Sequence, residues 1–548
     1  MPDLNTDGTL SILLISSVFL AFPAWAGDVE VQLGAGDGFV IKDSTLTERW
    51  RVDESGNLTR SGSLFLHEGN GSVFLGPLAG STNSGTRNSA FGVSALSANT
   101  TPANNSAFGY DSLRMNSTGF QNSAFGALAL DANTTANNNS AFGYLGLSAN
   151  STGNNNSSFG VVALDANTTA SNNSAFGYNS LGANSTGARN SAFGADALDA
   201  NTTASANSAF GYGSLGFNST GTSNSAFGAS ALAANTVANN NSAFGYVSLA
   251  ANSSGTRNSA FGSFSLDSNT TASDNSAFGA LALGANSTGA RNSAFGSFTL
   301  DANTTASDNS AFGSKSLTAN STGTQNSAFG GQALLGNTTE SGNSAFGFNA
   351  LSSLSSGNTN IGVGLAAGGQ LTTGSNNIYI GNVGAGTESG QLRIGTQGVQ
   401  TDAFIAGINS NVITGSAVLV SGTGELGVAA SSLRFKHAVR DMGDSSGMLM
   451  SLRPVTFRYR EEYVGPDDTT HFGLIAEEVA EVAPGLVHFD DEGRPFSVRY
   501  EFLAPLLLNE LQGQGRTIGR QQAVIAALVE RVENLESRLA TGTTQVEQ

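Results

Sequence analysis

The sequence predicts a mainly β protein: a trimeric parallel β-roll or solenoid of 17-residue coils, then a smaller α+β domain ending in a coiled-coil helix. Three observations predict it. Asparagine recurs every 17 residues from Asn88 to Asn377, eighteen copies without a gap. Charged residues number 15 between residues 88 and 376, against 29 between 431 and 540. The last stretch spaces its apolar residues three and four apart. Self-similarity at a fixed period is the mark of a solenoid in which each unit is one coil.

Composition bounds the function. With 548 residues, 70 of them glycine and only 12% charged, the chain is too long and too biased for one globular core. A net charge of -18 and the lack of any lysine and arginine cluster exclude a nucleic-acid partner, whose phosphates need a basic footprint. There is no cysteine, so neither disulfides nor thiolate metal sites contribute. His67, His437, His471 and His488 lack metal-ligand spacing, and no metal or cofactor is expected.

Residues 1–26 read as a signal peptide. An apolar run from Leu10 to Phe22 is followed by the small-x-small pattern Ala24-Trp25-Ala26, so the mature chain starts at Gly27 and is exported. The leader departs from the usual pattern in carrying Asp3 and Asp7 and no basic residue. The run is too short to span a membrane and nothing later replaces it, so the mature chain has no stable membrane span. Residues 27–70 read as a β region, with alternating stretches such as Phe39-Val40-Ile41.

Residues 71–392 are the repeats. Phenylalanine runs from Phe91 to Phe346, leucine from Leu96 to Leu351, and a second asparagine column from Asn99 to Asn337. Seventeen residues are too few for a helix pair, and breaks at Gly92-like and Asn99-like positions leave two short strands per unit. The strand period of two puts Ser89 and Phe91 on one face and Ala90 on the other. The expectation is that the ring fills the coil and the small side meets a neighbour.

Burying one phenylalanine and one leucine gains about 1.5–3 kcal/mol each, little against the cost of ordering a whole coil. Packing against identical chains makes up the difference, hence the expected homotrimer. At about 4.8 Å per coil the array is a rod of roughly 85 Å. Turns alternate between Asn116-Ser117-Thr118-Gly119 and Asn133-Thr134-Thr135-Ala136, so successive turns are expected to differ. The many Asn-x-Ser/Thr triplets follow from the consensus and read as turn and ladder asparagines rather than glycan acceptors.

These coils resemble the head repeats of trimeric autotransporter adhesins and phage fibre proteins, which implies a left-handed parallel β-roll and an adhesin with a host-surface or glycan receptor. Unlike complete adhesins, the chain shows no strand set for a membrane barrel. Rows of threonine and asparagine leave an alternative, an ice- or glycan-binding repeat protein.

Residues 393–430 alternate valine, isoleucine and glycine and read as a β connector. Then come Ser431-Ser432-Leu433-Arg434-Phe435-Lys436, Leu452-Arg453-Pro454-Val455-Thr456-Phe457, Gly473-Leu474-Ile475-Ala476-Glu477-Glu478-Val479, and Tyr500 with Leu503 opening a long helix. A serine beside a lysine can build a nucleophile without histidine. Glu477 and Glu478 read as a solvated helix face.

Together the blocks at 431–540 resemble the intramolecular chaperone auto-processing family at the ends of phage tailspikes and endosialidases. In that family Ser-Asp-x-Arg-x-Lys supplies a serine nucleophile and a lysine base, and the domain trimerises, helps the upstream fibre fold, and cuts itself off. The resemblance implies that Ser431 and Lys436 are catalytic and that the bond between Ala430 and Ser431 is cut, with Arg434 as a positioning group. Ser432 stands where the family usually has aspartate.

Ile518, Gln521, Ile525, Leu528, Val532, Leu535 and Leu539 follow the seam spacing of a coiled coil over 516–540, leaving 541–548 as a tail. The alternative is a helix folded back on its own domain. Near-identical coils carry little to set which coil of one chain lies beside which of another, so register is imposed from an end. The sequence thus describes an exported surface or extracellular fibre matured by C-terminal self-cleavage. The same architecture without the leader is a phage or prophage tail fibre in a virion, and retention of Met1 would mark it.

Overall fold

The computed structural model describes residues 39–42, 48–52, 58–60, 63–406, 417–421, 423–466, 468–490 and 492–543. The expected leader lies outside the described residues. The chain divides between residues 409 and 410 into two units.

The first unit opens as an antiparallel meander of Phe39–Lys42, Glu48–Val52, Leu58–Arg60, Ser63–Gly69 and Ser72–Leu75. Asn70 and Gly71, at φ 52° and 68°, make the last hairpin turn, the Asn-Gly pairing that two left-handed residues favour. Ser72–Leu75 then pairs in parallel with Ser89–Phe91, and that switch starts the solenoid. Parallel pairing continues to Leu392–Ile394 through about nineteen turns. Within the array serine meets serine, alanine meets alanine and phenylalanine meets phenylalanine.

Each coil has one three-residue strand, not the two expected. The second segment is a tight turn because Ser94 and Leu96, and their equivalents in most later coils, adopt φ near +55°. Left-handed residues cannot continue a strand. The face assignment is also reversed. Ala90, Ala95 and Leu96 are fully buried, while Phe91 is only half-buried on the outside. In the repeat coils from Ala90 to Ala345 alanine and one leucine fill the narrow interior, and rings enter the same column at Phe74 and Tyr379, before and after them.

The phenylalanines instead stack on one another. From Phe91 to Phe346 successive rings lie 4.6–5.1 Å apart between centroids and within 9° of parallel. Ring-to-ring distance is set by the strand spacing, so the stack follows from the pairing register.

Two asparagine ladders hold coil to coil from inside. Asn105 donates its backbone N–H to Asn88 Oδ1 at 2.9 Å and its side-chain amide to the Gly119 carbonyl at 2.9 Å. In the second column Asn116 donates to Asn99 Oδ1 and to the Gly119 carbonyl, both at 2.8 Å. These buried amides are therefore satisfied, as burial requires. Both turn sequences make these amide bonds, since Asn133 repeats the pattern with Asn116 Oδ1 and the Ala136 carbonyl at 2.8 and 3.1 Å. Their alternation is steric. A Cβ on Gly119 would lie 2.3 Å from the Ala136 carbonyl oxygen.

Past Phe346 the columns change and Tyr379 plugs the core, fully buried. Its hydroxyl donates to Glu388 Oε1 at 2.7 Å, and Arg393 pairs with the same carboxylate at 2.6 Å. Burial pushes the Glu388 carboxyl up, but the bonds from Arg393 and Tyr379 outweigh it and hold the group below the usual range. A carboxyl depressed in the folded state adds stability above its unfolded pKa, and that stability is lost as pH falls through the folded value. Hydrogen exchange at Ile378–Ile394 should accelerate below about pH 4 in the native chain. In Glu388→Gln it should already be fast at neutral pH; equal protection in both would refute this role.

The second unit contains the hairpins Leu419–Val420 with Leu426–Gly427, Val455–Phe457 with His471–Gly473, and Val487–Phe489 with Pro495–Val498. Short 3-10 segments and the helix Ala476–Val482 join them, and a 41-residue helix, Leu503–Thr543, ends the fold. The core is small: Val479, Ala483, Leu486, Val487, Val498 and Leu506. Buried Ser446 ties the segment Gly443–Ser451 to the long helix through Glu510 at 3.1 Å and Asn509 at 2.7 Å.

Candidate functional site

Ser431 and Lys436 meet because a single 3-10 turn lies between them. Phe435 donates its N–H to the Ser432 carbonyl and Lys436 donates to that of Leu433, each at 3.0 Å. This turn folds the chain back, and Lys436 leaves it extended at φ -119°, ψ 143°. Lys436 Nζ then donates to Ser431 Oγ at 3.1 Å. A nucleophile and its base must sit within this reach.

The pair is exposed, as are Ala430 and the whole turn. In this contact the ammonium is the donor. When the amine is neutral the bond reverses, and Lys436 can accept the serine proton. Desolvation or a nearby cation favours the neutral amine. Arg434 lies in the same turn, with its guanidinium 4.5 Å from the centroid of the Phe435 ring. Among the described residues no hydrogen bond joins Arg434 to Ser431 or Lys436. Ser432 caps the turn without a side-chain bond.

The other quoted blocks form the scaffold. Val455–Phe457 is one strand of a hairpin, and Gly473 to Val479 runs from its partner strand into the helix Ala476–Val482. Tyr500 Oη accepts the Leu474 N–H at 2.9 Å, locking that hairpin to the start of the long helix. Arg453 pairs with Glu478, which keeps Glu478 on the surface of the scaffold.

Only the first turns of the long helix pack on this core. Ile518, Ile525, Leu528, Val532, Leu535 and Leu539 are 50–69% exposed. The seam therefore does not fold back on its own domain. A stripe of this length left bare in one chain is the face a coiled coil covers. Sequence reasoning did not find the outward phenylalanine stack, nor an exposed tyrosine row on the coils, because periodicity shows which residues recur and not which side they face.

Residues 431–488 match the family model described as chaperone of endosialidase. The matched segment begins at the serine of the pair and ends before the long helix. It agrees with the family that the motifs resembled in the sequence. No curated protein and no solved structure matches the chain. Among the described residues no helix is long and apolar enough to cross a membrane.

Proposed function

We propose that this chain is an exported trimeric fibre, adhesin-like, whose C-terminal domain directs trimer assembly and then releases itself by cutting between Ala430 and Ser431. The observation that carries the reading is the 3.1 Å contact between Lys436 Nζ and Ser431 Oγ, at the start of the family match. Ser431 Oγ attacks the Ala430 carbonyl carbon and gives its proton to Lys436. The intermediate collapses as the C–N bond breaks, and Lys436 returns the proton to the departing amine of Ser431. An ester to the serine oxygen remains, and water hydrolyses it.

An exposed dyad suits a reaction that waits for assembly. Covering it in the trimer would remove water from the amine and switch the base on, so cutting would follow alignment of the chains. Two faces left open in the single chain support a multi-chain fibre: the seam of the long helix and the stack of sixteen phenylalanines. Chains aligned by the helix would close along the rings. Removing the clamp afterwards leaves a fibre that cannot unfold by the route along which it formed.

Phe210→Asp puts a charge into the middle of the stack without touching the coil interior. Sedimentation equilibrium should show loss of the trimer, while circular dichroism of the coils is preserved. A native rod that sediments as a monomer would end the trimer reading.

A further inference from the structure

One row on the coil surface has no part in cleavage or in coil cohesion. Tyr110, Tyr144, Tyr178, Tyr212 and Tyr246 follow the glycine after the strand in every second coil and are 50–64% exposed. The coils between them carry Val93, Ala127, Val161, Ala195 and Ala229 at the same place. Rings therefore alternate with notches. None of the five hydroxyls has a partner among the described residues. The edge of Phe264 braces the Tyr246 ring at 5.4 Å and 87°.

The row also stops. From residue 263 to 331 the same position holds Ser263, Ala280, Ser297, Ser314 and Gly331. A seam between copies would need the same residues along the whole rod, as the phenylalanine stack provides, whereas the tyrosines occupy only the half nearer the amino end. This distribution is that of a binding strip.

We infer that the tyrosine row binds a linear, uncharged, extended β-linked polysaccharide. The inference rests on the proposal that the rod is the receptor-facing part of an exported fibre. Sugar rings present apolar C–H faces that lie against aromatic rings, and tyrosine adds a hydroxyl for the sugar's own hydroxyls. Two coil steps are about 9.5 Å, close to the length of one disaccharide in such a chain. Every second sugar would rest on a ring and the one between would sit over a notch. The coils of the row, residues 88–246, carry Asp111, Asp131, Asp165, Asp196 and Asp199 against Arg114 and Arg189, and Arg114 is bound by Asp131 at 2.9 and 3.2 Å. That balance repels anionic chains.

Native affinity electrophoresis of the full chain, in gels containing hydroxyethylcellulose, xylan or glucomannan, tests this. At least one of the three should retard the protein, and dextran and alginate should not. The triple variant Tyr144→Ala, Tyr178→Ala, Tyr212→Ala should lose retention roughly tenfold or more, and the corresponding triple phenylalanine variant should keep it. Both should retain native sedimentation and the same C-terminal fragment. No retardation by any of the three glycans overturns the inference. Dissociation of the oligomer in the alanine variant overturns it too, by making the row a contact between copies. Retention by a chain that never cuts itself would refute the cleavage reading and leave this one standing.

Discussion

Expressed Ser431→Ala should stay at full length, whereas the unaltered chain should release residues 431–548 as a 118-residue fragment. Removing the nucleophile of a serine hydrolase costs about 10⁶-fold in rate, more than slow background cleavage can hide. Lys436→Ala should also remain whole. Lys436→Arg is the sharper variant, because a guanidinium keeps the charge and the reach but does not surrender its proton at ordinary pH. It too should stay intact. Intact mass and N-terminal sequencing of the fragment check the result. A wild-type chain that remains whole after assembly, or a fragment that does not begin at Ser431, would refute the mechanism.

Gly211→Ala should strongly destabilise the rod. The backbone there is at φ +135°, and an added Cβ would lie 2.6 Å from the carbonyl carbon and oxygen of Gly228 in the next coil. Those atoms belong to paired backbone and cannot move without shifting the register of the neighbouring strand. Strain at such a dihedral and overpacking together cost about 2–6 kcal/mol. Gly213→Ala is the control. Its φ is +59° with nothing within 4 Å of the added carbon, so it should cost only about 1–2 kcal/mol. Guanidinium unfolding and limited proteolysis around residue 211 would separate them. Equal losses would show that close approach between coils is not what selects glycine.

Much of the fold was legible because it repeats. Asn88 and its copies gave the coil length, and the buried ladder they form is the bond that the recurrence implied. What stayed hidden was orientation. Alternation within Ser89-Ala90-Phe91 told that alanine and phenylalanine face opposite ways, but not which side is inside. Coil width decides that, and it follows from left-handed dihedrals at Ser94 and Leu96 that no propensity predicts for a leucine. The dyad was legible for the opposite reason. The motif resemblance marked Ser431 and Lys436, and six residues spanning one 3-10 turn bring them together with no long-range contact. The seam of the long helix was readable as a pattern; that it stays bare depended on how little of the helix its small domain can cover.

The alternation of Gly119 with Ala136 along the rod has a consequence for how such rods change length over generations. Loss of one glycine coil would set two alanine turns in succession, where the Cβ of one would meet the carbonyl of the next, whereas glycine can follow glycine, as Gly374 follows Gly357. Duplication or deletion in pairs leaves every junction as it was. Related genes should therefore differ by multiples of 34 codons, making the rod a ruler graduated in double steps.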